Sequence, residues 1–279
     1  MSNDLGYQKN LYILPFDHRT SFAKLLGFTN PNFSPEEKKA ITLAKEIIYS
    51  AFKKAVEREV PRGNAAILVD EEYGDRIIQD AKNNNYNVIL TTEKSGQDEF
   101  AFEYADAFAQ HIEKYKPNFV KALIRYKSGA DCSGLKTLSD YCHKTGYKFI
   151  LEVLTENKTE KEAITAIMDL QNAGIEPDIW KLEGMETEEE YGNIVDRAQN
   201  GGRQNVKMVI LGRGAKQETV EKWIKIGARV KGIIGFAVGR TIFQEPLSEY
   251  KNGKIDKEKT IELICNNFLH FYRIFTDIN

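Results

Sequence analysis

The chain has 279 residues, of which 42% are hydrophobic and 29% charged, and its formal net charge is -2. This length fits one large α/β domain or two small ones. The interleaved charges exclude the basic excess that is typical of proteins binding nucleic acid or anionic membranes. No apolar run reaches the roughly 20 residues of a membrane span, and residues 1–10 lack the apolar region of a secretory leader. We therefore expect a cytoplasmic protein without nucleic-acid or membrane partners.

Short apolar runs alternate with longer amphipathic stretches along the whole chain. The runs have the length and the Ile, Val, Leu and Phe content of strands. They span residues 11–16, 65–69, 87–92, 119–126, 149–154, 178–182, 206–211 and 232–237. The stretches between them have helical periodicity and span residues 35–59, 74–84, 100–115, 134–145, 159–173, 187–199, 216–228 and 257–275. Ser34 before Pro35 is typical of a helix start, and Thr159–Glu162 and Thr187–Glu190 have the spacing of capping boxes.

Eight such pairs in a chain of this length predict a single (β/α)8 TIM barrel over residues 1–279. No Pro-, Gly- or Ser-rich linker divides the pattern. The alternative is a doubly wound open sheet. Its dinucleotide-binding form would need a G-x-G-x-x-G motif after an early strand, whereas the first strand here continues into the sequence PFDHR.

Ionisable residues interrupt or follow several predicted strands. Active sites of TIM barrels form where the carboxyl ends of the strands meet, so ionisable residues at these positions are candidates for such a site. They are Asp17, His18 and Arg19 after strand 1, the acidic run 70–72 after strand 2, Lys121 and Arg125 in strand 4, Glu152 in strand 5, and Lys181 and Glu183 in strand 6. A buried charge needs partners or takes a shifted pKa. One such residue alone is better explained by a structural ion pair, but several at one barrel mouth favour a functional site. For the acidic run, a solvated loop stays equally open.

These residue types suit Schiff-base chemistry. Lys181 would be the amine, and we expect neighbouring cations, Lys121 and Arg125, to favour its uncharged form. Glu152 would shuttle protons during formation of the imine, and Asp17 would act on the hydroxyl whose proton leaves as the carbon–carbon bond breaks.

The ends of strands 7 and 8 predict a phosphate site. Gly212, Arg213 and Gly214 follow strand 7, and Gly239 and Arg240 follow strand 8, where a short helix would begin. Loops after these two strands are the usual phosphate site of this fold, and glycine backbone N–H groups with guanidinium groups suit a dianion. A pair of purely structural turns is the alternative.

Cysteine and histidine usage argues against a metal site. Cys132, Cys142 and Cys265 lack CxxC spacing, so we expect packing residues. Three of the four histidines lie in predicted helices, which leaves His18 to orient Asp17 or a substrate hydroxyl. We therefore predict no metal and no cofactor.

Five segments carry a resemblance to a known family. In chain order they read LPFDHR from residue 14, VDEEYG from 69, IWKLEG from 179, VILGRG from 209 and IGFAVGRT from 234. They resemble the aldolase of myo-inositol catabolism, over residues 11–275. The resemblance implies cleavage of 2-deoxy-5-keto-gluconate 6-phosphate to dihydroxyacetone phosphate and malonate semialdehyde.

A more distant resemblance is to the tagatose-bisphosphate aldolases, which are Schiff-base barrels. It implies that Lys181 is the Schiff-base lysine and Arg240 the phosphate-binding arginine, and it also matches Asp17, Lys121 and Glu152. Strand 1 departs from that family, with Asp-His-Arg instead of Asp-Gln-Arg. The loop 127–134 departs from the inositol group, which leaves the substrate open.

The sequence thus predicts a metal-independent aldolase that cleaves a phosphorylated ketose, with His18, Arg19, Arg125 and Glu183 as further substrate contacts. One alternative is the same reaction on tagatose bisphosphate or a sulfosugar phosphate. Another is a non-catalytic barrel that binds a sugar phosphate. Whether the chain forms a homo-oligomer stays open.

Overall fold

Eight parallel strands close into a barrel in the computed structural model, which describes residues 5–30, 32–97 and 99–277. The strands are β1 Leu11–Pro15, β2 Ala65–Val69, β3 Asn87–Thr91, β4 Phe119–Arg125, β5 Lys148–Leu154, β6 Ile179–Glu183, β7 Lys207–Leu211 and β8 Ile233–Ala237. Each strand pairs with the next one along the chain, and β8 pairs with β1. The predicted (β/α)8 barrel is confirmed, and the open sheet is excluded because β8 returns to β1.

Helices surround the barrel. They are α1 Thr20–Leu25, α2 Pro35–Arg58, α3 Glu71–Asn83, α4 Phe108–Tyr115, α5 Ser133–Thr145, α6 Glu160–Asn172, α7 Glu188–Gln199, α8 Gln217–Gly227, α9 Arg240–Lys251 and α10 Lys257–Thr276. The strands are buried on both faces, which explains their continuous apolar sequences. Inward side chains such as Ile13, Leu68, Ile150 and Val209 fill the barrel, and the alternate ones pack against the helices.

The largest departures from the predicted helices are two additional helices and one late start. The helices α1 and α9 were not among the predicted helical stretches, although a short helix was expected to begin at Arg240. The stretch predicted as a helix from residue 100 becomes α-helical only at Phe108, after a short 3-10 helix at Ala105–Ala107. Before that, the backbone of Glu93 forms an isolated antiparallel bridge with Phe102, and Ala105 has a φ of 43°. Local pairing with the end of β3 therefore replaces the first helical turns.

The acidic run 70–72 is the start of α3, so its interpretation as a solvated loop is wrong. The Asp70 carboxylate accepts a hydrogen bond from the backbone N–H of Tyr73 at 2.9 Å, which caps the helix. Asp70 also pairs with Lys45 of α2, and both side chains are buried. The Lys45 ammonium lies 5.5 Å from the centre of the Phe22 ring. This run therefore joins helices rather than reaching the barrel interior.

Two of the three predicted helix starts have reciprocal capping boxes. They are those at Ser34 and Thr187. Thr159 caps α6, but the Glu162 carboxylate accepts hydrogen bonds from Asn157 rather than from the Thr159 backbone. Cys142 and Cys265 are buried, as expected of packing residues, whereas Cys132 is only partly buried.

The seam between β8 and β1 depends on one glycine. Gly235 has a φ of 155°, and a Cβ there would lie 1.9 Å from the backbone oxygen of Leu11. The pairing of β7 with β8 is irregular beside it, between Met208 and Val209. Only glycine permits this approach without moving one of the strands.

None of the described helices is both long enough and apolar enough to span a membrane.

The buried Lys45–Asp70 pair gives a test of stability. Lys45→Met keeps most of the side-chain volume but leaves the Asp70 carboxylate buried without its cation. We expect urea unfolding to show a loss of about 3–5 kcal/mol, the usual cost of breaking a buried pair.

The matched control is Lys136→Met, which removes an exposed pair between Lys136 and Asp140 within α5. It should change stability by at most about 0.5 kcal/mol. Equal losses in both variants would show that the Lys45–Asp70 pair contributes no more than a surface pair.

Candidate active site

A polar cavity of about 300 Å³ opens at the carboxyl ends of the strands. The register of the sheet explains its contents, because inward positions near the strand ends carry charges instead of aliphatic side chains. Glu152 of β5 is the register partner of Lys181 of β6. The predicted residues that line the cavity are Asp17, His18, Arg19, Lys121, Arg125, Glu152 and Lys181.

Lys121 lies at the centre of three carboxylates. Its ammonium is 2.5 Å from Glu93 Oε1, 3.0 Å from Asp17 Oδ2 and 3.1 Å from Glu152 Oε2. Burial alone would lower the pKa of Lys121, but the three carboxylates raise it above its usual range. Lys121 is therefore a fixed cation. The three carboxylates offset its charge, and the expectation that Lys121 and Arg125 favour the uncharged form of Lys181 stays a prediction.

Lys181 contacts the same cluster through Glu152. Its Nζ lies 2.7 Å from Glu152 Oε2, the oxygen that also contacts Lys121. Burial would raise the pKa of Glu152, but Lys181 and Lys121 together lower it. The Glu152 carboxylate is thus ionised and within hydrogen-bonding distance of the Lys181 amine, the arrangement that proton exchange between them requires.

Asp17 and His18 form the side of the cavity next to β1. Burial would raise the pKa of Asp17, but Lys121, His18 and Lys181 lower it well below its usual range. Burial lowers the pKa of His18 to about 4, although Asp17 opposes the shift. His18 is therefore neutral near pH 7. Its Nδ1 atom is buried without a hydrogen-bond partner in the described part of the chain, and it lies 3.9 Å from Asp17 Oδ1.

The sequence patterns did not predict Glu93 as a residue of the site. It lies just beyond β3 within the polar sequence TTEK, so no apolar run drew attention to it. The inward positions of β3 are Ile89 and Thr91, and continuing this alternation by two residues reaches Glu93. The alternation was therefore the available signal. Arg19 donates hydrogen bonds to the Glu93 backbone oxygen and to the Glu103 carboxylate, so it holds the segment that follows β3.

The side chains of Glu183 and Arg213 form an ion pair with each other. Arg213 donates to one carboxylate oxygen of Glu183, and the backbone N–H and hydroxyl of Thr155 lie 3.1 Å from the other. The structure therefore gives both side chains a protein partner. The role of Glu183 and Arg213 as substrate contacts stays a prediction.

Arg240 begins α9, and a smaller cavity of about 180 Å³ lies beside it. His18 and Ser21 line both this cavity and the larger one, so the two adjoin. Among the described residues, no carboxylate pairs with Arg240. Burial lowers its pKa, a shift that Glu152 opposes.

Glycines shape this region. A Cβ at Gly214 would lie 2.9 Å from the Arg240 guanidinium carbon, and a Cβ at Gly239 would lie 2.3 Å from the Pro15 backbone oxygen. A Cβ at Gly212 would lie 3.3 Å from a side-chain methyl carbon of Val238. A larger residue at 214 would displace the Arg240 side chain, and one at 239 would clash with the Pro15 backbone, so both positions have a structural reason for glycine.

The other three histidines lie in helices, as predicted. His111 pairs with Glu71 and His270 with Glu221, and His143 contacts the Glu176 backbone oxygen. Within residues 5–30, 32–97 and 99–277, no three His, Cys, Asp or Glu side chains are arranged to hold a metal ion.

Solved structures share this fold at low sequence identity. Cgl0159 from Corynebacterium glutamicum (Brevibacterium flavum) is 15% identical with a TM-score of 0.61, over 96% of this chain and 88% of that chain. Fructose-bisphosphate aldolase from Slackia heliotrinireducens is 12% identical with a TM-score of 0.58, over 92% of this chain and 86% of that chain. At such identities the similarity shows the barrel fold alone.

No curated protein shows significant similarity to the chain. That the chain is an aldolase of the myo-inositol group, as five sequence segments imply, stays a prediction. A profile of the bacterial family DUF2090, described as uncharacterized proteins conserved in bacteria, matches residues 2–278, and the chain therefore belongs to this family.

Proposed function

We propose that the protein is a Schiff-base aldolase that cleaves a phosphorylated ketose, with Lys181 as the nucleophile. The observation that carries this proposal is the shared carboxylate: Glu152 Oε2 contacts both the Lys181 amine and the Lys121 ammonium. A structural ion pair needs one cation for one anion. Here two buried lysines and three carboxylates line an open cavity, which is the arrangement expected of proton transfer rather than of packing alone.

The chemistry follows from these positions. The Lys181 ammonium gives a proton to Glu152, and the free amine attacks the ketone carbon. Proton transfer from nitrogen to oxygen gives the carbinolamine. Glu152 then returns its proton to the carbinolamine hydroxyl, which leaves as water and gives an iminium ion. The Asp17 carboxylate takes the proton of the hydroxyl on the carbon beyond the bond to be cleaved. That carbon–carbon bond then breaks, and its electrons move into the iminium to form an enamine. Protonation of the enamine and hydrolysis of the imine return free Lys181.

The surroundings of the two lysines separate their roles. Lys121 is fixed as an ammonium by three carboxylates, so it lacks the free electron pair that attack on a carbonyl requires. Lys181 has one carboxylate partner in the described structure, and that partner can accept its proton. Lys121 instead suits stabilisation of negative charge on a substrate oxygen and the placement of Asp17 and Glu152.

Arg240 supports a phosphorylated substrate. It lies at the N-terminus of α9 without a carboxylate partner among the described residues, beside a cavity that adjoins the one containing Lys181. A helix N-terminus and a guanidinium group both favour a dianion. The segments that resemble the myo-inositol enzyme make 2-deoxy-5-keto-gluconate 6-phosphate the first substrate to test. Tagatose bisphosphate and sulfosugar phosphates are the next.

Borohydride reduction tests the nucleophile. Treatment with dihydroxyacetone phosphate and borohydride should inactivate the enzyme and add the reduced adduct to Lys181, because the imine is the reducible species. Peptide mass mapping of the product identifies the modified lysine.

Lys181→Met is the control and should take up no adduct. An adduct on Lys121 in the wild type would contradict the roles given to the two lysines. Loss of activity in EDTA that zinc restores would point to a metal-dependent reaction instead.

Glu152→Gln tests the proton shuttle. The amide keeps the shape of the side chain but cannot exchange the proton, so turnover should fall by about two to four orders of magnitude. Steady-state kinetics with the cleavable ketose phosphate measures the effect. Glu262→Gln, which changes a surface glutamate paired with Arg58, is the control and should keep normal turnover. Near-normal turnover of Glu152→Gln would make Glu152 a structural partner of the lysines.

Arg240→Ala tests the phosphate site. A charge-assisted hydrogen bond contributes about 1.5–3 kcal/mol, so the Michaelis constant of a phosphorylated ketose should rise about ten- to hundredfold. The unphosphorylated analogue should change little. Arg213→Ala should act in the same direction but more weakly, because Arg213 already pairs with Glu183. Equal losses for both ketoses would assign Arg240 to the fold and would remove the main argument for a phosphate.

A further inference from the structure

Arg125 is a cation at the mouth of the cavity that the protein itself leaves without a counter-charge. It ends β4, where Lys121, Leu123 and Arg125 occupy alternate positions and so share the inner face of the barrel. All three line the cavity that contains Lys181. The Arg125 side chain is exposed, and it forms no ion pair or hydrogen bond with the residues that the structure describes. A guanidinium group in this setting is available to an anion from outside the protein.

Arg125 lies across the barrel from Arg240. The eight strands close in chain order, so β4 and β8 are four strands apart in either direction. Arg240 follows β8 directly, and Lys181 on β6 lies two strands from each arginine. The two guanidinium groups, neither of them paired with a carboxylate of the described residues, thus lie on opposite sides of the mouth with the proposed nucleophile between them. A ligand that reaches both is best matched if it carries an anionic group toward each end.

The proposed cleavage directs the ligand from Lys181 toward β4. Asp17, the base for the hydroxyl beyond the cleaved bond, holds its Oδ2 atom 3.0 Å from the Lys121 ammonium. That hydroxyl therefore meets Asp17 beside a side chain of β4. Arg125 follows on the same face of this strand, closer to its carboxyl end and to solvent. A ligand that continues from Asp17 toward the mouth along β4 brings the end remote from its phosphate to Arg125.

The outer part of the cavity carries more positive than negative charge. Lys24 of α1 and Lys94 after β3 also line it, both are exposed, and neither pairs with a carboxylate of the described residues. Glu99 is the one acidic side chain among the described lining residues of this outer part. The three carboxylates deeper in the cavity already contact Lys121. A second anion on the ligand is therefore attracted to the mouth and repelled from the interior.

We propose that Arg125 binds a second anionic group of the substrate, at the end remote from the phosphate. This rests on the proposed function, which supplies the phosphate at Arg240 and the carbonyl at Lys181. The substrate class narrows to ketose phosphates that end in a carboxylate, a sulfonate or a second phosphate. Arg125 is the specificity determinant, because a guanidinium group forms two parallel hydrogen bonds to such an oxyanion, and ketose monophosphates with an uncharged end are discriminated against.

Ligands without a ketone test this independently of the imine. Calorimetry would compare 6-phospho-D-gluconate with D-glucitol 6-phosphate, which share the carbon chain and the phosphate but end in a carboxylate and a hydroxymethyl group, respectively. D-glucitol 1,6-bisphosphate has a second phosphate at that end. For the wild type, we expect at least one ligand with a second anion to bind about tenfold more tightly than D-glucitol 6-phosphate, as hydrogen bonds to a charged group allow. The larger of the two ratios identifies the preferred anion.

Arg125→Gln should lower that ratio to about twofold or less, because the amide carries no charge. The variant should fold normally, since the side chain has no hydrogen bond or ion pair to the described residues to lose. Lys127→Gln is the matched control: it removes a nearby positive charge, but Lys127 lines a separate groove beside α5 and α6, so the ratio should stay at the wild-type value. Arg240→Ala should weaken all three ligands by a similar factor and keep the ratio, because they share the phosphate.

The proposal is overturned if the wild type binds D-glucitol 6-phosphate as tightly as both ligands with a second anion, or if Arg125→Gln keeps the wild-type ratio. An equal fall in Lys127→Gln would also overturn it, because overall charge rather than Arg125 would then set the preference. Failure of the wild type to bind any of the three would overturn it together with the sugar-phosphate site. A preference that depends on Arg125, without borohydride trapping at Lys181, would instead refute the Schiff-base reaction and leave the role of Arg125 supported.

Discussion

The buried contact between the Lys121 ammonium and three carboxylates is the interaction on which the mouth of this barrel depends. Asp17, Glu93 and Glu152 come from the ends of three strands, and at close range they would repel one another without the cation. Lys121 offsets this repulsion among side chains that are largely buried. The result is a set of acceptors whose positions are fixed before any ligand arrives, which is the kind of preorganisation that electrostatic catalysis requires.

A shared carboxylate connects this cluster to the proposed nucleophile. Glu152 contacts Lys121 and Lys181 through the same oxygen. A change in the charge of one lysine therefore changes the electrostatic environment of the other. In the proposed reaction, Lys181 loses its charge when its ammonium gives a proton to Glu152 and regains a positive charge in the iminium ion, and each change alters how strongly Lys121 attracts Asp17 and Glu152. These groups are therefore coupled through their contacts, and single substitutions within the site should not have additive effects.

The sequence predicted most of this arrangement because charges stand out within apolar strands. Lys121, Glu152 and Lys181 interrupt runs of Val, Leu and Ile, and strand alternation places them inside the barrel. Glu93 escaped prediction because its neighbours are polar and because its bridge partner, Phe102, lies in the stretch 100–115 that was expected to be helical. The pairing of Asp70 with Lys45 also lay beyond sequence reasoning, since it joins residues of different elements and a charge on a helix normally faces solvent.

The glycine at the seam between β8 and β1 bears on the length of the ligand. With Gly235 in place, β8 approaches the Leu11 backbone so closely that the two strands leave no room for a side chain. Arg240 follows β8 directly, so its distance from Lys181 on β6 is set by the closed barrel and not by a flexible loop. If phosphate binds Arg240 while the carbonyl reaches Lys181, the barrel fixes the number of carbons that can lie between the phosphate and the carbonyl of the ligand. A ketose whose phosphate lies one carbon nearer to its carbonyl, or one carbon farther from it, would then fit poorly.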